Sequence, residues 1–251
     1  MRTHLPKIAA LVFVELCGLA CAQEAAPAPV VPNIREAAPG QYEIGLVHLD
    51  QKAQTLTFPG ALNLDQGLME YLIVTPQGST HESLLVTDVP PTDVQFAMLL
   101  LGVKGSAALE RAGLDAPPPQ IDSKYLKTAP HLKGDSVAIR VAWKVGKDEK
   151  TAPVEDWLIN KKTKKTAERG PWIYNGSMFN NGHFLAQVEG AIAALVTNPA
   201  ALINNPRKGS DDDQIWSVNE KAVPPVKTPV QITIQLSLPP ANPASPAPKQ
   251  P

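Results

Sequence analysis

Ser136-Val137-Ala138-Ile139-Arg140-Val141-Ala142-Trp143-Lys144-Val145-Gly146 is the stretch on which the fold class turns. Val137, Ile139, Val141, Trp143 and Val145 alternate with Ala138, Arg140, Ala142 and Lys144. Side chains of a strand point to opposite faces in turn, so this period of two describes a strand with one face buried. Val230, Ile232, Ile234, Leu236 and Leu238 alternate with Gln231, Thr233, Gln235 and Ser237 in the same way. Two long half-buried strands predict a sheet that is apolar on one side and wet on the other, which is the habit of antiparallel sheets.

Shorter strands are expected at Tyr42–Leu49, Gln54–Phe58, Met69–Val74, His81–Thr87, Asp156–Ile159, Trp172–Asn175, His183–Val188 and Ala191–Val196. Pro76-Gln77-Gly78-Ser79 is turn chemistry, so Met69–Val74 and His81–Thr87 are predicted to form a hairpin. One helix is predicted over 92–101. Thr92 is placed to cap it, and Gln95 three residues on completes a capping box. Val94, Ala97, Met98 and Leu101 share one face, while Phe96, Leu99 and Leu100 make the others apolar, so the helix is expected to be buried all round. Asn198 to Leu202 suggests one further helical turn. Ala112 to Pro119 is a Pro-rich connection between two halves. The expected fold is α+β, predominantly antiparallel β, sandwich-like or an open barrel, with one buried helix.

The ends of the chain read differently. Arg2 and Lys7 precede an apolar run from Ile8 to Ala20, and Ala20-Cys21-Ala22 offers small residues to a signal peptidase. The expectation is a signal peptide over 1–22, cut before Gln23. The run is too short to cross a bilayer, which takes about 20 apolar residues. Gly18-Leu19-Ala20-Cys21 also resembles a lipoprotein box, which makes Cys21 a candidate for lipidation. Residues 23–40 are rich in Ala and Pro and read as a linker, and 239–251 holds six prolines and reads as a disordered tail. A globular domain over 41–238 lies between them.

Removing Arg2, Lys7 and Glu15 from 23 basic and 24 acidic residues leaves 21 and 23. That balance offers no electrostatic basis for binding nucleic acid. Both cysteines, Cys17 and Cys21, lie in the export signal, so the mature domain is expected to have no disulfide and no thiol chemistry. No P-loop, dinucleotide fingerprint or nucleophile elbow is present.

Three groups of residues carry potential chemistry. Glu70, His81 and Glu82 are candidates for acid/base or metal-assisted catalysis. His81 and Glu82 adjoin on a predicted strand, which would point them to opposite faces. Trp172, Tyr174, Asn175, Ser177 and His183 are candidates for lining a ligand site. The competing reading makes them core and turn residues of a strand. Asp211, Asp212 and Asp213 form an oxygen-rich loop, although the spacing departs from an EF-hand, and a solvated loop is the competing reading. No cofactor and no resident metal are expected.

Phe58-Pro59-Gly60, Glu70-Tyr71-Leu72-Ile73-Val74, His81-Glu82-Ser83-Leu84-Leu85 and the helix ending Leu100-Leu101-Gly102 fall in an order that resembles the YdjY-type domain of exported bacterial proteins. Glu155-Asp156-Trp157-Leu158, Pro171 to Ser177, Asn204-Asn205-Pro206, Asp211 to Asp213 and Trp216-Ser217-Val218-Asn219 extend the likeness over nearly all of 41–238. The resemblance implies an exported domain and carries no catalytic residue with it.

The leading expectation is an exported protein of the periplasm or cell surface, acting as a non-catalytic binding or structural module. Its partner would be a protein or small molecule of the envelope, and the mature chain would have no transmembrane span. The alternative is a metal-assisted or acid/base enzyme using Glu70, His81 and Glu82.

Overall fold

The computed structural model describes residues 33–103, residue 105 and residues 133–236. Residues 1–22, read as a signal peptide, with Cys21 among them, the Pro-rich connection at 112–119 and the tail from 239 lie outside the described residues.

Four strands open the fold as an antiparallel meander: β1 (Ile34–Ala38), β2 (Gln41–Ile44), β3 (Val47–Asp50) and β4 (Thr55–Leu62). β1 falls within the stretch read as linker, and all five of its residues are exposed. After them come β5 (Tyr71–Val74), β6 (Ser83–Val86), helix α1 (Pro91–Leu100), β7 (Asp135–Val145) and β8 (Asp148–Pro153). β9 (Leu158–Asn160), β10 (Lys165–Thr166), β11 (Trp172–Tyr174), β12 (Phe179–Asn180) and β13 (His183–Phe184) are short. Helix α2 (Leu185–Glu189), β14 (Ala191–Ala194), β15 (Ile203–Asn204), β16 (Trp216–Val218) and β17 (Pro229–Leu236) follow within the described residues.

The two strands with the clearest alternation form the centre of the sheet. β17 pairs antiparallel with β7 from Val230↔Trp143 to Leu236↔Val137. On its other edge β17 pairs with β4 from Pro229↔Ala61 to Gln235↔Thr55. Their alternate residues Val137, Ile139, Val141, Val230, Ile232 and Ile234 are all buried.

The sheet closes, contrary to the sandwich or open barrel expected. Strand order runs β4-β17-β7-β11-β15-β14-β5-β6, and β6 returns to β4 through Ala61↔Val86 and Leu62↔Leu85. Closure leaves these strands no free edge, the most complete answer to edge pairing. It depends on β4 changing partners along its length. Its first residues pair with β3, and its last two pair with β6. Gly60 lies between. A Cβ there would meet Ile232 Cδ1 at 2.8 Å and the Val86 carbonyl oxygen at 3.0 Å, so glycine eases the close approach of the strands. β7 divides in the same manner, pairing β11 through Asp135–Val137 and β8 through Arg140–Val145.

Further expectations are corrected. Met69–Val74 and His81–Thr87 are not a hairpin, because β5 and β6 pair in parallel, Tyr71↔Ser83 to Val74↔Val86. The intervening turn ends in a 3-10 helix at Thr80–Glu82, so His81 and Glu82 are not on a strand. The helix starts at Pro91 with Pro90 as its cap residue, so Thr92 lies inside it and no side chain caps it. Nor is it buried all round, since Leu99 is 47% and Leu100 37% exposed. His183–Val188 is strand for two residues only and then becomes α2, ended by Gly190 at φ +63. Residues 198–202 form turns without a helix, although Asn198 Oδ1 does accept from the Ala200 amide at 2.9 Å in the manner of a cap.

α1 packs against β2, β3, β4 and β14 and touches α2. A second small sheet, β10-β9-β16, lies beside the barrel, joined through Leu68↔Ser217 and the Met69 amide to the Trp216 carbonyl at 3.0 Å. Among the described residues no helix is long and apolar enough to cross a membrane.

Candidate functional site

The second half of the barrel carries a buried polar network built on asparagines. β11 ends at Tyr174, and the chain turns through Gly176 (φ +79) and Ser177 (φ +63). Both the Asn175 and Gly176 amides donate to the Leu202 carbonyl, at 3.0 and 3.1 Å. Asn175 Nδ2 donates to the carbonyls of Pro199 and Ala201 at 3.1 and 3.0 Å, and its Oδ1 accepts from Asn204 Nδ2 at 2.8 Å. Asn204 in turn receives the Asn198 amide on Oδ1 at 2.7 Å. Ser177 Oγ donates to the Ala200 carbonyl and accepts from the Ala186 amide at 3.0 Å. Asn175, Ser177, Asn204 and Asn205 are all at most 2% exposed. A loop at 198–202 has few backbone partners of its own, so these side chains supply them.

A second network joins the barrel to the small sheet. Trp172 Nε1 donates to Glu155 Oε1 at 3.0 Å, and Arg207 Nη2 donates to the same oxygen at 2.7 Å. The guanidinium also reaches the carbonyls of Glu168 at 2.5 Å and Gly170 at 2.9 Å, and Asn205 Oδ1 at 3.1 Å. It lies 4.9 Å from the Trp172 ring centre, in cation–π range. Side-chain exposure is 9% for Arg207 and 5% for Glu155. Burial lowers the Arg207 pKa and the carboxylate of Glu155 opposes that shift. Tyr174 is likewise occupied, its hydroxyl donating to Gln95 Oε1 at 2.5 Å, and burial followed by the charge of Asp135 raises its pKa.

Of the five candidate ligand residues, Trp172, Tyr174, Asn175 and Ser177 are thus brought together in the interior, each bonded to protein groups. His183 stands apart, exposed on the β12–β13 hairpin. Glu155, Asn198, Asn205 and Arg207 complete the networks without having been among the candidates. Their only mark in the sequence is their residue type, since a buried charge or amide cannot be told from an exposed one until its partners are placed.

Glu70, His81 and Glu82 do converge. The Glu70 amide donates to the Glu82 carbonyl at 3.0 Å, and His81 Nε2 lies 3.7 Å from Glu82 Oε2. Burial raises the Glu70 carboxyl pKa, the charges of Glu82 and Asp213 raise it further, and His81 opposes them. The charge of Asp213 is thus felt at Glu70, while its neighbour Asp212 pairs with Lys162 at 3.0 Å. A backbone hydrogen bond from Gln214 and then Lys162 hold the Asp212 carboxyl below its usual range. Among the described residues no three His, Cys, Asp or Glu side chains stand in metal-holding geometry.

An open cleft of about 410 Å³ lies elsewhere, lined by Asp65, Gln66, Glu220, Val223, Pro224 and Pro225. Neither Asp65 nor Glu220 forms an ion pair among the described residues. The two carboxylates share the cleft with Val223, Pro224 and Pro225, a lining that suits a cation on an aliphatic stem.

Neither the curated proteins nor the solved structures give a match to this chain. The YdjY domain model, by contrast, matches residues 47–235, a span running from β3 into β17 that takes in the closed barrel and both buried networks. The chain belongs to the YdjY domain family.

Proposed function

We propose that this protein is exported and works in the periplasm or at the cell surface as a binding module without catalysis of its own. The observation that carries this reading is the contrast between the two polar regions. Trp172, Tyr174, Asn175, Ser177, Glu155 and Arg207 bond to one another, to the Gln95 side chain and to the backbone, which suits a structural role. The cleft at Asp65, Gln66 and Glu220 keeps its carboxylates facing solvent. A partner presenting ammonium or guanidinium groups on apolar stems fits that cleft by charge, with Val223, Pro224 and Pro225 to meet the stems. Arg2, Lys7 and the apolar run to Ala20 support export, with the mature N-terminus at Gln23 or at a lipidated Cys21.

The test has two parts. The full chain is expressed from its own start codon in a Gram-negative host, and the N-terminus of the envelope fraction is read by mass spectrometry. A photocrosslinking residue at Gln66 is then used to capture whatever occupies the cleft. Capture that is lost in Asp65→Asn/Glu220→Gln supports the reading. Capture unchanged by that double variant removes the cleft from it, and an intact Met1 in the cytoplasm removes export.

A second reading rests on the corner of Glu70, His81, Glu82 and Asp213. A carboxyl group whose pKa is raised by burial and by neighbouring carboxylates holds its proton to higher pH than an ordinary carboxyl, which favours acid/base work. Metal analysis of the purified protein, repeated on His81→Ala, separates a metal-assisted enzyme from the binding module.

A further inference from the structure

The dipeptide Asn-Gly occurs twice within eight residues, at Asn175-Gly176 and Asn181-Gly182, and the fold gives the two copies opposite surroundings. Asn175 is buried. Its amide nitrogen donates to two carbonyls and its oxygen accepts from Asn204. Asn181 is exposed at the tip of the β12–β13 hairpin, between the paired residues Asn180 and His183. It has φ +49 and Gly182 has φ +78, the two positive values of a two-residue hairpin turn. Nothing stands within 4 Å of where a Gly182 side chain would begin.

We propose that Asn181 is a site of spontaneous covalent modification, through attack of the Gly182 backbone nitrogen on its own side-chain amide. The Gly182 nitrogen loses its proton and forms a bond to Asn181 Cγ. The Cγ–Nδ2 bond breaks, and ammonia leaves with a proton. Water then opens the five-membered imide at one of its two carbonyls, giving aspartate or the isoaspartyl linkage. Only water enters and only ammonia leaves, and nothing is oxidised or reduced.

The hairpin controls the rate. In the closed turn the backbone holds the Gly182 nitrogen in one orientation, whereas attack needs the peptide to rotate. β12 and β13 contribute two residues each, and so short a ribbon is marginal by itself. What clasps its base is Phe179 against Phe184, with ring centres 5.2 Å apart. Local opening of this unit costs far less than opening the barrel that encloses Asn175. The isoaspartyl product would lengthen the turn backbone by one carbon and add a negative charge beside His183.

The full chain is incubated folded at mildly alkaline pH, and a parallel sample is incubated unfolded in urea. Peptide mass spectrometry follows the Asn-to-Asp mass change at both positions. In the folded chain Asn181 should convert on the order of tenfold or more faster than Asn175, as the difference in local opening requires. In urea the two should convert alike. Phe179→Ala, at a position already 47% exposed, should speed conversion at Asn181 and leave Asn175 protected. The protected Asn175 serves as the internal control for folding. Equal conversion of the two asparagines in the folded chain would overturn the site. A Phe179→Ala rate equal to that of the parent would overturn control by the hairpin.

Discussion

Arg207 Nη2 donates to Glu155 Oε1 at 2.7 Å, and the same oxygen receives Trp172 Nε1 at 3.0 Å. One carboxylate oxygen therefore ties the loop before β16 to the 3-10 turn Val154–Trp157, which precedes β9, and to barrel strand β11. Both charged side chains are almost wholly buried, so each depends on the other to offset its lost hydration. Glu155→Gln should destabilise the fold by about 3 kcal/mol or more, because it leaves the guanidinium buried and uncompensated. Chemical denaturation of the two proteins measures this. The double variant Glu155→Gln/Arg207→Met should recover part of the loss, and a double variant worse than the sum would contradict the pairing.

Asn175→Ala tests the asparagine network. It removes two donors from the Pro199 and Ala201 carbonyls and the acceptor from Asn204. Several buried groups are then left without partners, and the expected cost is roughly 2–4 kcal/mol. Asn175→Asp should be no better, because its second oxygen would face two carbonyls. Thermal unfolding followed by near-UV circular dichroism, with four tryptophans as reporters, reads both.

Gly190→Ala tests the join between α2 and β14. Gly190 has φ +63, and an added Cβ would lie 2.3 Å from Thr75 Oγ1 and 2.8 Å from the Gly78 amide nitrogen. The left-handed backbone alone costs an alanine about 1 kcal/mol, and contact with a backbone atom adds to that. Gly146→Ala is the control, since it shares the positive φ (+64) but has nothing within 4 Å. The melting temperature should fall further for Gly190→Ala than for Gly146→Ala.

Asp93 gives the protein a pH dependence of defined sign. It lies in the first turn of α1, 7% exposed, with its carboxylate against Gly45, and burial raises its pKa. The folded chain therefore keeps this proton at a pH where the unfolded chain has lost it. Stability falls as pH rises through the window above the ordinary carboxylate value and returns as pH drops back. Glu70, also raised, adds in the same direction. In Asp93→Asn the stability gain on mild acidification should shrink, as measured by melting temperature across that range. An unchanged slope would place the dependence elsewhere.

What was legible in the sequence follows from period and composition. The alternation at 137–145 and 230–236 carries its own burial pattern, and these strands stand where expected because one apolar face fixes their orientation in any sheet. The family was legible as well, since its motifs occur in order along the chain. The register of β5 against β6 was not. A turn-forming Pro76-Gln77-Gly78 suits a hairpin locally, yet β6 pairs with both β5 and β4, and barrel closure requires it to run parallel to β5. Nor was the fate of polar residues legible. Asn175 and Asn181 precede glycine alike, but one is saturated inside the barrel and the other stands at an open turn. Local sequence determines which backbone shapes are affordable. Whether an amide or a carboxylate meets water or another side chain depends on segments far along the chain, which only the closed tertiary structure brings together.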